Sequence, residues 1–445
     1  MRALLVNPWI YDFAAYDLWS KPLGLLRIAS FLKRCKVKID LIDCLDRNHP
    51  ALKTYLRKMP RSSFYGCGNY YFELIEKPKI LKSIPRRYKR YGMPRELFER
   101  LIKRQSRPDI ILITSGMTYW YPGVLEVVEI LKKRFKGIPI ILGGIYARLC
   151  PEHAKKNIPV DFIYSGNNLF EIAELIFKIT RYNFEYLRIK QKPFFYAYEL
   201  YPKLEAVSLR TSSGCPFRCS YCGWYLLEDG FRYNFTQDFI VEKIAYFFKV
   251  KGVKNFAFYD DAFLYNACQH AIKIMQKLIK RKIKANFHTP NGLNIRYITK
   301  EIARLLKASG FIRPRLGLEF IFKKKENLTN IKATKEEFLK AIGYLKEAGY
   351  PSKDIGVNIM IGLPEEDYFE IEETVKFVAS QKVRIHLEEY APVPGTPDFF
   401  KAGLTYDSDP LLHNNSAFLY LNKDASRLEA LKDMVHKYNA QIIYS

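Results

Sequence analysis

The chain has 445 residues, 48% hydrophobic and 27% charged, which excludes a disordered or low-complexity protein and leaves room for two or three domains around a large buried core. No run approaches the roughly 20 uninterrupted apolar residues of a membrane span, and the start Met1-Arg2-Ala3-Leu4-Leu5-Val6-Asn7-Pro8 reads as a buried strand and not as a signal peptide, so the expected location is cytoplasmic. Lys and Arg number 72 against 46 Asp and Glu, a net charge of +26 that favours anionic partners without deciding a fold, and eight cysteines in a chain of this size make no disulfide framework.

Up to about residue 180 short apolar runs alternate with helical patterns. Ala3 to Val6, Val37 to Asp43, Ile110 to Ser115, Pro139 to Gly144 and Asp161 to Gly166 read as strands. Pro22 to Cys35, Tyr121 to Phe135 and Leu169 to Ile179 carry apolar residues at helical spacing. Near-continuous apolar strands joined by helices imply a parallel sheet covered on both faces, so residues 1–180 are expected to form a doubly wound, flavodoxin-like domain. Such sheets bind ligands at the carboxyl ends of their strands, here Asn7-Pro8, Asp43, Ser115-Gly116-Met117 and Gly143-Gly144. The glycine pair could equally be no more than a tight strand-to-helix turn.

Residues 60–107 form an insertion rich in bases and aromatics, including Tyr65, Tyr70, Tyr71, Phe72 and Pro85-Arg86-Arg87-Tyr88-Lys89-Arg90-Tyr91. Interleaved Arg and Tyr could stack on nucleic acid or close over a cofactor; the expectation is a solvated basic loop with aromatic anchors. Residues 181–204, with Pro193 and Pro202, read as a linker.

The stretch Thr211-Ser212-Ser213-Gly214-Cys215-Pro216-Phe217-Arg218-Cys219-Ser220-Tyr221-Cys222 directly follows the strand-like run Ala206 to Arg210. It offers Cys215, Cys219 and Cys222 to one metal centre. A structural zinc wants four ligands, and no second Cys or His pair lies nearby at the usual spacing. Three thiolates on a cubane 4Fe-4S cluster leave one iron open instead. A zinc loop or three scattered core cysteines is the alternative. The spacing, with Tyr221 just before the third cysteine, resembles the signature of radical S-adenosylmethionine (SAM) enzymes. The resemblance implies that SAM chelates the open iron and is cleaved by one electron to a 5'-deoxyadenosyl radical.

From 205 to 397 a second alternation follows. Ala206 to Arg210, Asn255 to Asp260, Lys284 to His288, Pro314 to Phe320, Gly356 to Gly362 and Val383 to Tyr390 read as strands, with helical patterns between them. Six β/α units with the cysteine loop after the first strand imply a partial (β/α)6 barrel with its site at the strands' carboxyl ends. Phe258-Tyr259-Asp260-Asp261 stands where relatives bind the amino group of SAM. A carboxylate suits that ammonium, although one Asp could instead cap the following helix. Phe287-His288-Thr289-Pro290-Asn291-Gly292 closes the third strand, with His288 and Asn291 as candidate catalytic or substrate-contacting groups and a satisfied structural His288 the equal alternative. Leu316-Gly317-Leu318-Glu319 resembles the family's Gly-x-Glu-Ser element with Phe320 in place of serine, so Glu319 is expected to face SAM. Met360-Ile361-Gly362-Leu363-Pro364 resembles the element beside the adenine, and Glu388 to Pro397 resembles the closing segment. By this resemblance Tyr221, Asp260, Asp261, Glu319 and Gly362 hold SAM, and Cys215, Cys219 and Cys222 hold the cluster.

A doubly wound domain ahead of this motif resembles the cobalamin-binding subfamily, which includes the anaerobic magnesium-protoporphyrin cyclase and many methyltransferases. Ser115, Gly143 and Gly144 then line the nucleotide tail of cobalamin. The Asp-x-His-x-x-Gly motif of histidine-ligated cobalamin domains is absent, and Gly166-Asn167-Asn168 departs from the acidic Gly-Glu-Gly-Glu of relatives. Residues 398–445 read as a short tail with one helix at Ala425 to Tyr438, and Cys35, Cys44, Cys67, Cys150 and Cys268 as ordinary buried thiols.

The implied protein is an oxygen-sensitive enzyme that methylates an unactivated carbon of a small or medium organic substrate, fed electrons by a ferredoxin or flavodoxin. Radical cyclisation or oxidation is the alternative within the class, and a relative that kept the cluster but lost cobalamin is another. A metal-stabilised nucleic-acid-binding protein, motivated by the charge and the insertion, is the lesser expectation.

Overall fold

The structure, a computed structural model, describes residues 1–182, 194–319, 321 and 333–444; residues 183–193 of the expected linker and Phe320 lie outside them. The chain divides into two compact units, Met1–Glu205 with Thr405–Asn414, and Ala206–Leu404 with Asn415–Ser445.

The first unit is built on five parallel strands, Arg2–Asn7, Lys38–Asp43, Ile110–Ile113, Ile140–Leu142 and Phe162–Ile163. Numbered in chain order they lie second, first, third, fourth, fifth, the flavodoxin-like arrangement, with its switch point between the first and third strands. Period-2 alternation splits their side chains. Ala3, Leu5, Ile110, Leu112 and Ile141 pack with Leu25, Phe31, Ile172 and Ile176 of the helices Leu23–Arg34 and Leu169–Thr180. Leu4, Val6, Ile111, Ile113, Ile140 and Leu142 pack with Phe98, Ile102, Val124, Val127 and Leu131 of Arg95–Arg104 and Tyr121–Arg134. Both faces are therefore covered, which is why the strands read as continuous apolar runs.

The insertion is only in part a solvated loop, with Arg61, Lys82 and Arg87 exposed. Lys89–Tyr91 is the middle strand of an antiparallel ribbon between Ile10–Asp12 and Phe72–Leu74. Tyr70, Tyr88 and Tyr91 are buried, and so is Arg90, whose guanidinium pairs with Glu126 at 2.6 Å and with Glu73 and lies over the Trp9 ring. A buried arginine satisfied by two carboxylates and a ring is not available to a phosphate backbone.

The expected single tail is also corrected, because its residues Thr405–Asn414 belong to the first unit. Asp409 accepts from the Tyr121 hydroxyl at 3.3 Å, His413 Nδ1 meets Thr118 Oγ1 at 3.1 Å, and Asn414 donates to Asp12 Oδ1 at 2.8 Å.

The second unit holds all-parallel sheets of three strands (Ala206–Leu209, Asn255–Phe258, Asn286–His288) and four (Leu293–Asn294, Arg315–Glu319, Gly356–Ile361, Arg384–Glu389), forming the partial barrel. The expected strands lie where the apolar runs placed them; Leu293–Asn294 is an addition. Four of the helices between strands start on side-chain caps, Thr236, Thr299, Asp367 and, with Glu337 completing a capping box, Thr334. The carboxyl-terminal helix Ala425–Tyr444 covers the edge of the last strand, Asn439 accepting from Ile385 N and donating to Ile385 O at 2.9 and 2.8 Å. Among the described residues no helix is long and apolar enough to cross a membrane.

Candidate cluster and cofactor site

The cysteine loop leaves the first barrel strand through the two-residue pairing of Ser212–Ser213 with Arg232–Tyr233. Asp260, at the end of the neighbouring strand, fixes that departure. Its carboxylate accepts from Thr211 N and Oγ1 at 3.1 and 2.6 Å and from Ser212 N and Oγ at 2.6 Å each. Burial pushes this carboxyl up, against the lowering effect of its four donors. Asp261 holds the next turn of the loop. It accepts from Gly214 N at 2.9 Å and from Arg210 Nη2 at 2.5 Å, and Arg210 is held in turn by Glu228 at 2.9 Å. Gly214 has φ of 80°, and a side chain there would run into Gly230 O, so glycine is required at this turn.

Farther along, Cys222 N donates to Cys219 O at 3.0 Å and Trp224 Nε1 to Phe217 O at 2.5 Å. Asp398, buried at the start of the short helix Pro397–Lys401, clamps the loop between its second and third cysteines: Ser220 Oγ donates to Asp398 Oδ2 at 2.8 Å, and Asp398 N donates to Ser220 O at 3.1 Å. A side chain on Gly223 would stand 2.5 Å from Val393 Cγ1, so the closing segment packs directly on the loop.

Cys215, Cys219 and Cys222 share the wall of one cavity of about 260 Å³ with Tyr221, Asp261, Asn291, Gly292, Gly317 and the aromatic rings of Phe217, Tyr265 and Tyr297. Burial first, then the neighbouring thiols, push the Cys215 thiol up to about 11, so without a cationic partner it stays protonated. Among the described residues no three His, Cys, Asp or Glu side chains converge as a single metal ion requires. A cubane engages its thiolates at three separate irons, so three sulfurs on one wall fit a cluster better than a zinc ion.

The other expected residues are sorted by the geometry. Asp261 reaches the cavity, whereas Asp260 is fully engaged behind the loop. Asn291 lines it and donates to Tyr259 O at 3.1 Å. Burial, and then Glu319 and the Cys219 thiol, hold the Tyr221 phenol far above its usual range. Glu319 is buried with φ of 67°, a left-handed backbone at a non-glycine, where the strand pairing also shifts register. His288 is not on the cavity wall. It is buried with Nε2 3.2 Å from Asn255 Oδ1, and burial pushes it down to about 3. Gly362 has φ of 91°, and a side chain there would collide with Leu419, so its glycine serves packing. Of the unclustered cysteines Cys268 is exposed, not buried as expected.

In the first unit the carboxyl ends of the third and fourth strands form an open apron of small residues. Gly116, Met117 and Gly144 are exposed, and a side chain on Gly143 would meet only Tyr164 O at 3.7 Å. Gly144 has φ of 90° and a side chain there would stand 2.6 Å from the Ser115 backbone, so its glycine is conformational, and the Ser115 hydroxyl donates inward to Met117 O at 2.8 Å. The cleared surface at Gly143 fits a large flat cofactor tail; the turn at Gly144 alone would not require it.

Sequence reasoning missed Asp398, because its partner is 178 residues away. It also missed the polar alternation Arg315-x-Gly317-x-Glu319, Asn358-x-Met360 and Arg384-x-His386-x-Glu388, a signal present in the sequence of strands otherwise read as apolar.

Residues 209–378 match the radical SAM superfamily, and residues 90–173 match the B12 binding domain. An uncharacterized methyltransferase of Pyrococcus horikoshii is 23% identical over 322 residues, covering 65% of this chain and 68% of that protein. The anaerobic magnesium-protoporphyrin IX monomethyl ester cyclase of Cereibacter sphaeroides is 23% identical over 350 residues, 69% of this chain and 55% of that one. The chain thus spans about two thirds of the first relative's length and about half of the second's. Among solved structures, the radical SAM methyltransferase TsrM of Kitasatospora setae, with cobalamin and a [4Fe-4S] cluster bound, covers 90% of this chain and 77% of its own at a TM-score of 0.64 and 14% identity, a likeness of fold.

Proposed function

We propose, from the premise that this chain is a radical SAM protein carrying a B12 binding domain, that it is a cobalamin-dependent methyltransferase acting on an unactivated carbon of a small or medium organic substrate. One observation carries the reading: three cysteines share a single cavity with a carboxylate, at the carboxyl ends of barrel strands. When bound, the cluster supplies the electron that cleaves SAM and cobalamin supplies the methyl group.

The chain's own residues bind and orient. Cys215, Cys219 and Cys222 hold the cluster, and Asp260, Ser220 and Asp398 fix the loop that presents them. Asp261 offers its carboxylate to the SAM ammonium from the same cavity wall as Tyr221, and Glu319 lies next to Tyr221. Phe217, Tyr265 and Tyr297 form an aromatic side of the cavity that excludes water. Gly143 and Gly144 border the surface for the cobalamin tail, and the buried Ser115 lies behind them.

The methyltransferase name of the Pyrococcus relative and the TsrM-like fold support methyl transfer; the likeness to the cyclase supports ring formation as the second reading. A ferredoxin or flavodoxin as donor and a cytoplasmic location belong to this proposal, supported by an oxygen-labile centre and by eight cysteines that form no disulfide among the described residues. Anaerobic reconstitution with iron and sulfide, followed by SAM, reductant and cobalamin, tests it. Iron bound at about four per chain, SAM cleavage and a cobalamin absorption band co-eluting with the protein are expected. A colourless, iron-free product that leaves SAM intact overturns it.

A further inference from the structure

In the four-stranded sheet of the barrel, Leu316, Leu318, Val357, Ile359, Ile361 and Ile385 are all at most 1% exposed. The alternate positions carry Arg315, Gly317 and Glu319, then Gly356, Asn358 and Met360, then Arg384, His386 and Glu388. Register makes them a ladder, with Arg315, Gly356 and Arg384 on one rung, Gly317, Asn358 and His386 on the next, and Met360 and Glu388 on a third; Glu319 follows the register shift and pairs with Ile359. A parallel sheet with both faces covered has no need of such alternation, and barrel interiors are ordinarily filled by branched apolar side chains. These side chains are only partly buried, Arg315 at 27% and Glu388 at 47% exposure, and a partly buried polar group still loses hydration unless something pairs with it.

This ladder is incompletely paired. Arg315 Nη1 stands 3.7 Å from Glu388 Oε1, beyond a hydrogen bond. Among the described residues the Asn358 amide oxygen is buried without a hydrogen-bond partner. Burial, Arg315 and Arg384 push His386 down to about 3, so it is neutral. Burial pushes the Glu388 carboxyl up, Arg315 opposing and Glu319 and Glu389 adding. The arginines occupy the rung at the strands' amino ends, and the carboxylates the rung at the carboxyl ends, where ligands enter. The ladder also adjoins the cysteine cavity. Gly292 and Gly317 lie on the cavity wall, Gly317 pairs with Asn358, and a side chain on Gly292 would stand 3.8 Å from Asn358 Nδ2.

We propose that this ladder is the substrate-binding face, and that Glu388 and the Asn358 amide oxygen take an ammonium or other N–H-donating group of the substrate. The proposal rests on the radical SAM reading above and narrows its substrate to a nitrogen-bearing polar class. A carboxylate entering by the same route meets Glu319 and Glu388 first and is disfavoured.

The test supplies the reconstituted full chain, SAM and dithionite with perdeuterated n-butylamine, butyrate or butanol as surrogate hydrogen-atom donors. A C–D bond of the probe breaks and a C5'–D bond forms in 5'-deoxyadenosine, read by mass spectrometry; dithionite and a solvent proton quench the probe radical. Label from the amine is expected to exceed that from butyrate about tenfold, the effect of one charged hydrogen bond. Glu388→Gln should bring it to the butyrate level, and Asn358→Leu, which keeps the carboxylate, should lower it severalfold, with iron content and circular dichroism confirming a folded, loaded protein. Equal label from all probes, more from butyrate, no change in Glu388→Gln, or SAM cleavage without label overturns the proposal. Absence of both 5'-deoxyadenosine and methionine overturns the radical reading itself.

Discussion

Asp260 and Asp261 are neighbours in sequence with separate tasks. Asp260 accepts four hydrogen bonds from Thr211 and Ser212 and is 2% exposed, so it builds the loop; Asp261 accepts from Gly214 and from Arg210 before it and reaches the cavity. Asp260→Ala strands those donors and should lower unfolding free energy by about 3 kcal/mol in a denaturant titration. Asp261→Asn should leave that titration within about 0.5 kcal/mol and weaken SAM binding about tenfold by equilibrium dialysis. Asp398 acts on the same loop from the other side. Asp398→Ala should leave the reduced cluster's electron paramagnetic resonance signal broadened and its iron lost several times faster to a chelator, and Asp398→Asn, which still accepts from Ser220, should restore both.

Among elements, the strand-to-turn junction at Gly143-Gly144 separates conformation from clearance. Gly144→Ala meets both a positive φ and the Ser115 backbone and should cost about 1–3 kcal/mol of stability. Gly143→Ala meets nothing closer than 3.7 Å and should fold as the parent does, while binding cobalamin more weakly in a spectrophotometric titration. The parallel sheets and the cysteine loop were legible in the sequence because both are local: apolar runs give the strands, and three cysteines within eight residues give the site. The insertion was misjudged because Arg90 meets Glu126 only 36 residues later, and a charge run read alone looks solvated. The polar ladder was in plain view, and went unread because short strands rich in Ile, Leu and Val pass for continuous apolar runs.

At the scale of the molecule, acid sensitivity follows from buried histidines. His270 is held at about 4, and His288, His386 and His413 at about 3, each mainly by burial. The unfolded chain takes up protons near pH 6.5 that the folded chain refuses, so stability is full above that value and falls as pH drops toward 4. Each site costs about 2 kcal/mol at pH 5. His270→Asn, compared with the parent so that carboxyl contributions cancel, should flatten the dependence of unfolding free energy on pH between 6.5 and 4.5 by about one proton.

The segment Thr405–Asn414 has a temporal implication. A domain made of one continuous stretch can fold as soon as it clears the ribosome, and amino-terminal domains usually do. Here Asp12, Thr118 and Tyr121 wait for Asn414, His413 and Asp409, which are synthesised about 290 to 400 residues later. Translation must therefore run almost to the last helix before the earliest-made half of the protein is finished. Until then a nascent chain carries a partly built nucleotide-cofactor fold that chaperones have reason to hold.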